Sequence, residues 1–482
     1  MKKNAKGVVA LSLALVASGC GDFLQGPGLT ENPNSATLAT AQQQLIALQA
    51  NMFTRLEGQI ARNASGFTQQ IIGSNNQQLT YITQYDIREN DIGQNFTGFY
   101  TGGGLVAMRN IQAFGAENDR FMEGVAKIWE ALAFGTATAV WGDLPYREAV
   151  DPSILTPKLD PQQQIYADVQ TRLDEGIAAL QAAPTTGGCE VSDLIYCVPA
   201  TATRAQQIAR WIAAARTLKA RFYLHLVERD GVAAYNLALA QANQGILEAP
   251  TTALQAMHGQ APGDFRSFHG TTLDVDGNIW AEFLTARGGD LGAGHTLVQL
   301  LKNRSDPRLT AYFTASSTAP GGEVFGLNQN NTVVGAGPAA QINIPVRRAL
   351  NFRQPIVTWA ENQLILAEAK FQTGDVVGAT GHVNAVRAAV GMPAILPLVT
   401  FQDVMLEKYI AQFQNIDVWA DYKRTCIPTL ARYQTATEIP GRLPYGSAER
   451  TANPNLPLPT AYPAGTTGPA PLRNWNDPNP CP

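Results

Sequence analysis

The sequence predicts a mainly α-helical fold built from tetratricopeptide-like helix pairs, with one large irregular face made of loops. Two segments have the form of helical hairpins. Apolar residues recur at helical spacing over 208–222, and a break at Gly231 separates them from a second helix. A similar pair spans 364–390 and breaks at Gly374. Each unit has roughly the ~34 residues of a tetratricopeptide-type pair but lacks the sequence signature of that repeat.

Capping residues indicate two further helix starts. Asn34 and Ser35 precede a helical stretch over 45–56. Asp160 followed by Pro161 is typical of an N-cap and a first helical turn.

Long irregular connections are expected between and after the helix pairs, because the chain holds 43 Gly and 29 Pro. Residues 250–350 are Gly-rich with short β-like runs such as 278–283, and the chain is again irregular after Trp419. Loops on a rigid scaffold often carry binding sites. We therefore expect the helices to support a loop-built face for a ligand.

Composition and charge limit the partners of this chain. Its 482 residues are 45% apolar and 15% charged, which is typical of a globular protein with a substantial core. The 35 basic and 39 acidic residues leave a net charge of −4. This balance provides no positive field for nucleic acid or for an anionic membrane surface. We expect no nucleic acid partner.

The first residues have the pattern of a secretory signal. Three lysines among the first six residues form a positive stub, and a short apolar run covers 8–17. Small residues then lead directly to Cys20. This pattern predicts a signal peptide over 1–19, which is too short to span a bilayer as a mature helix.

The residues that precede Cys20 also resemble a bacterial lipobox, Ala-Ser-Gly-Cys, in which the cysteine becomes the lipid-modified first residue of the mature protein. We expect acylation of Cys20, a polar tether over 20–33 and a single domain over 34–482. No other stretch reaches the ~18 uninterrupted apolar residues of a membrane-spanning helix. Acyl chains would therefore be the only anchor.

Four further cysteines remain in the mature chain, and an even number in an exported protein suggests disulfides. Cys189 and Cys197 bracket a short loop, so they are the natural local pair. Cys426 and Cys481 would then tie the final tail to the body. Metal binding is the alternative, but no Cys-x-x-Cys and no nearby His supplies a tetrahedral set.

The sequence lacks the common catalytic and cofactor motifs. It has no His-Glu-x-x-His, no Gly-x-Ser-x-Gly and no Walker loop, and its five His are widely scattered. Asp274-x-Asp276-Gly-Asn278 is like the start of a calcium loop, but Ile279 and Thr285 stand where that loop needs Gly and Glu. A polar turn is the favoured interpretation. We therefore expect no cofactor, no metal and no catalytic residue.

Several short motifs follow one another along nearly the whole mature chain. The most specific is Trp141-Gly-Asp-Leu-Pro-Tyr146. The others, in chain order, are Cys20-Gly-Asp-Phe-Leu24, Phe99-Tyr100, Met108-Arg-Asn110-Ile111, Asp306-Pro-Arg308, Leu366-Ala-Glu368-Ala, Glu407-Lys408, Trp419-Ala-Asp421-Tyr-Lys-Arg424, Glu449 and Asn453-Pro-Asn455-Leu456. Together they resemble the SusD/RagB family of nutrient-binding lipoproteins. We expect most of these residues to be structural, for example Asp421 and Arg424 as a helical i, i+3 pair.

The resemblance implies a SusD-like helical fold and a non-catalytic role at the cell surface. Such a protein captures a nutrient oligomer, here expected to be a glycan, and delivers it to a TonB-dependent SusC-like transporter. It would be anchored by lipid in the outer membrane and face outward. Three alternatives stay open. They are the uptake of oligopeptides, a surface glycan hydrolase whose carboxylates are far apart in the chain, and a helical scaffold for protein assembly.

The candidate ligand residues follow from the way proteins hold sugars, with aromatic faces against the ring and planar polar groups on the hydroxyls. The stretch 75–100 has this composition, and the resemblance adds the central loops around Phe268. The candidates are Asn75, Asn76, Tyr81, Tyr85, Arg88, Asn90, Trp280 and Arg287. The competing interpretation is that Tyr81, Tyr85 and Phe99 pack in the core and the asparagines form turns.

Overall fold

The computed structural model describes residues 39–198, 200–434, 436, 438–457 and 473–481, and most of its regular structure is helical. The helices are α1 (Ala41–Glu57), α2 (Gln59–Phe67), α3 (Asn76–Gln78), α4 (Glu89–Thr97), α5 (Leu105–Asn118), α6 (Arg120–Trp141), α7 (Gln162–Gln181), α8 (Arg204–Leu224), α9 (Val227–Asp230), α10 (Val232–Ala242), α11 (Ala253–His258), α12 (Ile279–Ala286), α13 (His295–Asn303), α14 (Arg308–Tyr312), α15 (Trp359–Gln372), α16 (Val376–Ala389), α17 (Phe401–Ala411), α18 (Asp417–Thr425) and α19 (Ser447–Ala452). A π-helical turn, Leu79–Thr83, follows α3. The predicted mainly α fold is confirmed.

Short strands in the described residues join loops that are far apart in the chain. The strands are β1 (Ile71–Gly73), β2 (Phe265–Arg266), β3 (Leu291–Ala293), β4 (Phe313–Thr314), β5 (Gly326–Leu327), β6 (Val333–Val334), β7 (Gln341–Ile342) and β8 (Pro355–Val357). They form antiparallel pairs, β1 with β3, β2 with β8, β4 with β7 and β5 with β6. The β1–β3 pair matters most for the loop-built face, because it places an early loop beside a central one.

The helix pairs stack on one another as the sequence predicted. Helix α6 packs on α7, α10 packs on both α8 and α15, and α15 packs on α16. Gly231, with φ of 54°, makes the turn between the helices of the first predicted hairpin, and Gly374, with φ of 94°, makes the turn in the second. Thr203 and Thr358 begin α8 and α15 with capping boxes. Within the described residues, no helix is long and apolar enough to cross a membrane.

Buried ion pairs hold the helical stack together. The Glu407 carboxylate accepts hydrogen bonds from Arg308 at 2.5 Å, Arg304 at 3.1 Å and Arg387 at 3.2 Å. A second cluster joins Glu368, Lys408, Asp421 and Arg424. Many residues of the sequence motifs therefore serve the scaffold, and the predicted Asp421–Arg424 pair is confirmed.

A third buried cluster joins two helix pairs to α18. Arg221 Nε donates to Glu361 Oε1 at 2.6 Å, and His225 Nε2 lies 2.8 Å from Asp417 Oδ1. Since His225 sits between Tyr166 and Asp417 in the core, its role is to link helices.

Several local predictions need correction or lie outside the described residues. Helix α1 begins at Ala41 with Thr40 as its cap, whereas the signal peptide 1–19, Cys20, the tether 20–33, Asn34 and Ser35 are outside the described residues. Asp160 is not an N-cap. Its Oδ2 accepts from the backbone N–H groups of residues 146 and 147, while Asp143 accepts from the first residue of α7.

The run 278–283 is not β-like, because it forms the first turns of α12. The Asn278 side chain accepts from the N–H groups of Trp280 and Ala281, both at 3.0 Å. The Asn278 cap favours a helix here, and its effect outweighs the strand propensity of the apolar residues that follow.

The two disulfides are those expected from the sequence, Cys189–Cys197 and Cys426–Cys481. The second ties the described tail, 473–481, to the end of α18. Asn474 Nδ2 donates to Ala139 O at 2.7 Å and Asn476 Nδ2 donates to His225 O at 2.9 Å. The tail is thus bonded to α6 and to the residue that ends α8, besides α18.

Candidate functional site

The β1–β3 pair brings two predicted ligand segments together. Ser74 N donates to Asp290 O at 2.8 Å, directly beyond the paired strands. Asn75 Nδ2 donates to Gly289 O and Asn76 Nδ2 donates to Asp290 Oδ1, both at 2.7 Å. Arg287 lies on the same loop, with its Nη1 3.8 Å from Asp290 Oδ2. Three candidates, Asn75, Asn76 and Arg287, therefore share one exposed rim of the molecule.

Helix α12 connects this rim to the rest of the loop face. Phe283 and Arg287 are four residues apart, so they lie on the same side of the helix. The guanidinium of Arg62, from α2, lies 4.0 Å from the centroid of the Phe283 ring. This cation–π contact holds Arg62 on that side of α12, where the charge of Arg287 also acts on it.

The guanidinium of Arg62 has no counter-charge within hydrogen-bonding distance in the described residues. Its Nε is buried without a hydrogen-bond partner, and within the described residues no carboxylate pairs with its guanidinium. Burial, together with the nearby charge of Arg287, lowers the pKa of Arg62 to about 10. The side chain stays protonated at neutral pH, although its charged form is disfavoured by its surroundings.

A cavity of about 310 Å³ opens at the other end of α12. Its walls combine apolar side chains with two carboxylates. The apolar residues are Phe53, Leu194, Phe268, Val275 and Ile279, and the carboxylates are Asp276 and Glu282. The mixture is typical of a pocket for a small polar ligand with apolar faces. We name the cavity, Arg62, Phe283, Arg287 and the rim of Asn75 and Asn76 together the α12 face.

A buried acid–base pair forms the wall behind this cavity. His269 Nε2 lies 2.9 Å from Glu57 Oε2, and Asn278 Nδ2 lies 3.3 Å from the same oxygen. Burial opposes the charged imidazole, but the Glu57 carboxylate outweighs it and raises the pKa of His269. The pair therefore favours an imidazolium–carboxylate state in the fold.

The loop 270–277 closes on itself as the predicted polar turn. Gly270 N donates to Asp276 O at 2.8 Å, and Thr272 N donates to Asp276 Oδ1 at 2.9 Å. Among the residues that the structure describes, no group of three or more His, Cys, Asp or Glu side chains is arranged to hold a metal ion.

Three further candidates make contacts elsewhere instead of joining the Asn75 rim. Tyr81 Oη donates to Asp91 Oδ1 at 2.7 Å, and burial with this hydrogen bond raises the pKa of Tyr81 to about 12. Arg88 pairs with Asp86 at 3.0 Å. The Asn90 carboxamide oxygen accepts from Ser447 Oγ at 2.5 Å. Tyr81 remains partly exposed, and its ring orientation is fixed by the carboxylate.

The other two candidates, Tyr85 and Trp280, lie in the core with 0% of their surface exposed. Tyr85 packs edge-on against Phe67, with ring centroids 5.9 Å apart. Neither ring presents a face on which a sugar could stack, so the competing core interpretation holds for these two. Phe99 is a core residue too, because its buried ring packs against Trp141.

The comparisons with known proteins identify the family. The model of the SusD-like family, described as starch-binding and associating with the outer membrane, matches residues 29–390. The chain belongs to the SusD-like family. No curated protein sequence matches it.

Solved structures share the fold of this SusD-like chain. A protein described as chitin-binding is 21% identical with a TM-score of 0.70, and the match covers 91% of this chain and 100% of that one. A chitin-binding SusD homologue from Flavobacterium johnsoniae is 15% identical with a TM-score of 0.63, covering 91% and 97%. A SusD/RagB family protein from Bacteroides thetaiotaomicron is 19% identical with a TM-score of 0.62, covering 87% and 95%.

Sequence reasoning missed Arg62, Phe283 and Glu282, and it considered Asp276 only as part of a possible calcium loop. Arg62 lies in a short helix between Ala61 and Asn63, so nothing in its local sequence separates it from an ordinary surface arginine. The one available signal was the spacing of Phe283 and Arg287, which places an aromatic ring and a guanidinium on one side of a helix.

Proposed function

We propose that this protein binds an oligosaccharide at the bacterial cell surface and delivers it to a SusC-like, TonB-dependent transporter, without chemistry of its own. The observation that carries the proposal is the α12 face in a chain of the SusD-like family. Two loops distant in sequence meet there, with exposed carboxamides, a guanidinium and a cavity with aromatic walls. The chitin-binding descriptions of two structural neighbours support a glycan as the ligand class.

The chemistry of the face suits a sugar. A pyranose ring offers apolar C–H patches and a rim of hydroxyls, which match aromatic surfaces and planar amide or guanidinium groups. Phe53 and Phe268 provide aromatic surface in the cavity, and Asn75 provides an exposed carboxamide held by Gly289 O. Because backbone pairing fixes these loops, little ordering would be needed on binding.

The first experiment measures binding by calorimetry against neutral, amino, acidic and peptide oligomers. Asn75→Ala and Phe268→Ala should weaken binding of the preferred glycan, and loss of the Phe268 ring from the cavity wall should cost roughly 1–2 kcal/mol. Asn118→Ala, at an exposed position near the end of α5, is the matched control and should bind as the parent does. Binding to oligopeptides alone would contradict a glycan function.

The second experiment separates binding from hydrolysis, because Asp276 and Glu282 both line the cavity. The pure protein is incubated with each glycan that binds, and the products are analysed by chromatography. We expect the glycan to be recovered intact. Cleavage that disappears in Glu282→Gln would identify a hydrolase instead.

Anchoring and partnership complete the proposal. Acylation of Cys20 would hold the protein in the outer membrane through the tether 20–33, and this tether would allow the body to move over a transporter. Cys20→Ala should release the protein from the membrane fraction, whereas the parent should carry a lipid label. The parent should also co-purify with a large barrel protein from outer membranes, and unchanged fractionation of the variant would contradict the anchor.

A further inference from the structure

The α12 face contains a cation whose charge the described protein does not balance. Three other buried or partly buried arginines have carboxylate, amide or carbonyl acceptors for their guanidinium groups. Arg308 has two carboxylates, and Arg353, whose pKa burial lowers to about 10, donates to five backbone carbonyls. Arg347 donates to Gln414 Oε1 and Met257 O. Arg62 has no such acceptor in the described residues and stacks on Phe283 instead.

Arg287 does not relieve this imbalance and adds to it. Its exposed guanidinium lies 3.8 Å from Asp290 Oδ2, which is longer than a hydrogen bond, and Asp290 also accepts from Asn76. The Asp290 carboxylate is thus already shared between Asn76 and Arg287. Arg62 is partly buried, and a partly desolvated cation without a counter-ion is unfavourable, so an incoming anion would reduce that cost.

We propose that Arg62 and Arg287 form a subsite for the carboxylate of a uronic acid unit, so that the ligand is an acidic oligosaccharide. This inference rests on the proposed glycan-binding function. A guanidinium presents a planar fork of donors that matches a carboxylate, and the Phe283 ring holds the plane of Arg62 in place. The carboxamides of Asn75 and Asn76 stand on the adjoining rim, where sugar hydroxyls would follow.

The competing interpretation is that the arginines only serve the end of α12. Cations are stabilised near a helix C-terminus, and Arg348 does donate to Leu284 O there at 2.9 Å. This explains Arg348 and the position of Arg287. It leaves Arg62 unexplained, because Arg62 comes from α2 and contacts a ring instead of a carbonyl.

The arrangement also orients the ligand. Asp276 and Glu282 lie at the opposite end of α12, and eight residues of helix separate positions 279 and 287 by ~12 Å. The acidic end would repel a second carboxylate. We therefore expect the uronic unit over Arg62 and Arg287, with a neutral or amino sugar in the cavity.

The test compares one oligosaccharide in two charge states. Tetragalacturonate and its fully methyl-esterified form share their sugars and differ in charge. Calorimetry should show the acid binding at least about tenfold more tightly than the ester, as expected for a charge-assisted contact. Chitotetraose, a sulfated tetrasaccharide and a tetraglutamate peptide complete the panel.

Variants then assign the preference to the two arginines. Arg62→Gln and Arg287→Gln should each weaken acid binding about tenfold while changing ester binding less than twofold, and Arg62→Lys should retain part of the preference. Arg147→Gln is the matched control, because Arg147 is exposed and already paired with Asp168. Thermal melting checks that Arg62→Gln is folded, and the exposed Arg287 variant tests the subsite if it is not.

Each outcome separates this inference from the proposed function. Equal binding of acid and ester, unchanged acid binding in both variants, or a preference for the sulfated sugar or the peptide would overturn the uronic acid subsite. Binding of chitotetraose alone would overturn it while the glycan function stands. No binding to any oligosaccharide would overturn both.

Discussion

The helical stack and the α12 face use charged residues in opposite ways. In the stack, Glu407 accepts from three arginines and Asp417 pairs with both Arg221 and His225. On the α12 face, Arg62 has neither an ion pair nor a hydrogen bond at Nε in the described residues. The clusters around Glu407 and Asp417 pair opposite charges within the stack, whereas the charge of Arg62 on the face has no such partner in the described residues. This difference is the reason for placing a ligand at Arg62.

Removing a carboxylate from the stack should have the largest effect. Glu407→Ala leaves Arg308, Arg304 and Arg387 without their shared acceptor, and breaking a buried pair costs about 3–5 kcal/mol. The free energy of unfolding, from denaturant titration, should fall by that amount. Glu323→Ala removes an exposed partner of Lys302 and should cost about 0–1 kcal/mol. Similar losses in the two variants would contradict the comparison.

The two disulfides should differ through the length of chain they close. Cys426–Cys481 spans 55 residues and Cys189–Cys197 spans 8. From loop-closure entropy, removing the first by a double Cys→Ala change should cost up to about 4 kcal/mol and removing the second about 2.5 kcal/mol. Thermal melting of both double variants tests the order. A reversed order would show that native contacts outweigh the entropy of the unfolded chain.

Removing the N-cap of α12 should reduce stability by less than the changes above, and it separates an effect on the face from an effect on the stack. Asn278→Ala removes acceptors from the N–H groups of Trp280 and Ala281, which costs about 1 kcal/mol. Phe283 lies in α12 and Arg287 directly follows it. The free energy of glycan binding should therefore change by more than the free energy of unfolding. Thr203→Ala removes the equivalent cap from α8 in the stack, and it should leave glycan binding unchanged.

The smallest expected effects are changes of stability with pH, which should have opposite signs for Asp417 and His269. Burial alone would raise the pKa of Asp417, but Arg221 and His225 hold it well below its ordinary value. Its contribution to stability is therefore complete above the unfolded value of about 3.9 and is lost as the pH falls. Melting temperature should drop between pH 5 and pH 3, and less steeply in Asp417→Asn.

His269, behind the cavity, should respond in the other direction. Its folded pKa is raised by Glu57, so its contribution is present below the unfolded value of about 6.5 and is lost as the pH rises through the folded value. Between pH 6 and pH 8 the parent should lose more stability than His269→Gln. An identical slope in the two proteins would show that the pair adds nothing to pH dependence.

The scaffold was predictable from sequence because its signals are local. Turns at Gly231 and Gly374 and apolar spacing in the flanking helices predicted both hairpins. The face was less predictable, because long-range pairing creates it. Asn75 meets Gly289 only through the β1–β3 pair, and the aromatic character of Tyr85 and Trp280 gives no indication of their burial. The prediction of a β-like run over 278–283 was also wrong, because the Asn278 cap starts a helix despite the β-like composition.

The described tail has a consequence for the order in which the chain can fold. Lys423, buried in α18, has its ion pair with Asp477 at 2.7 Å. Asn474 and Asn476 donate to carbonyls of residues that lie 335 and 251 positions earlier in the chain. Contacts between such distant residues form late and slow the search for the native state. Helix pairs can form while the chain is still emerging, but α6, α8 and α18 stay incompletely bonded until residues 474–477 arrive. Docking of residues 474–477 is therefore expected to be a late step that completes the bonding of the helical stack.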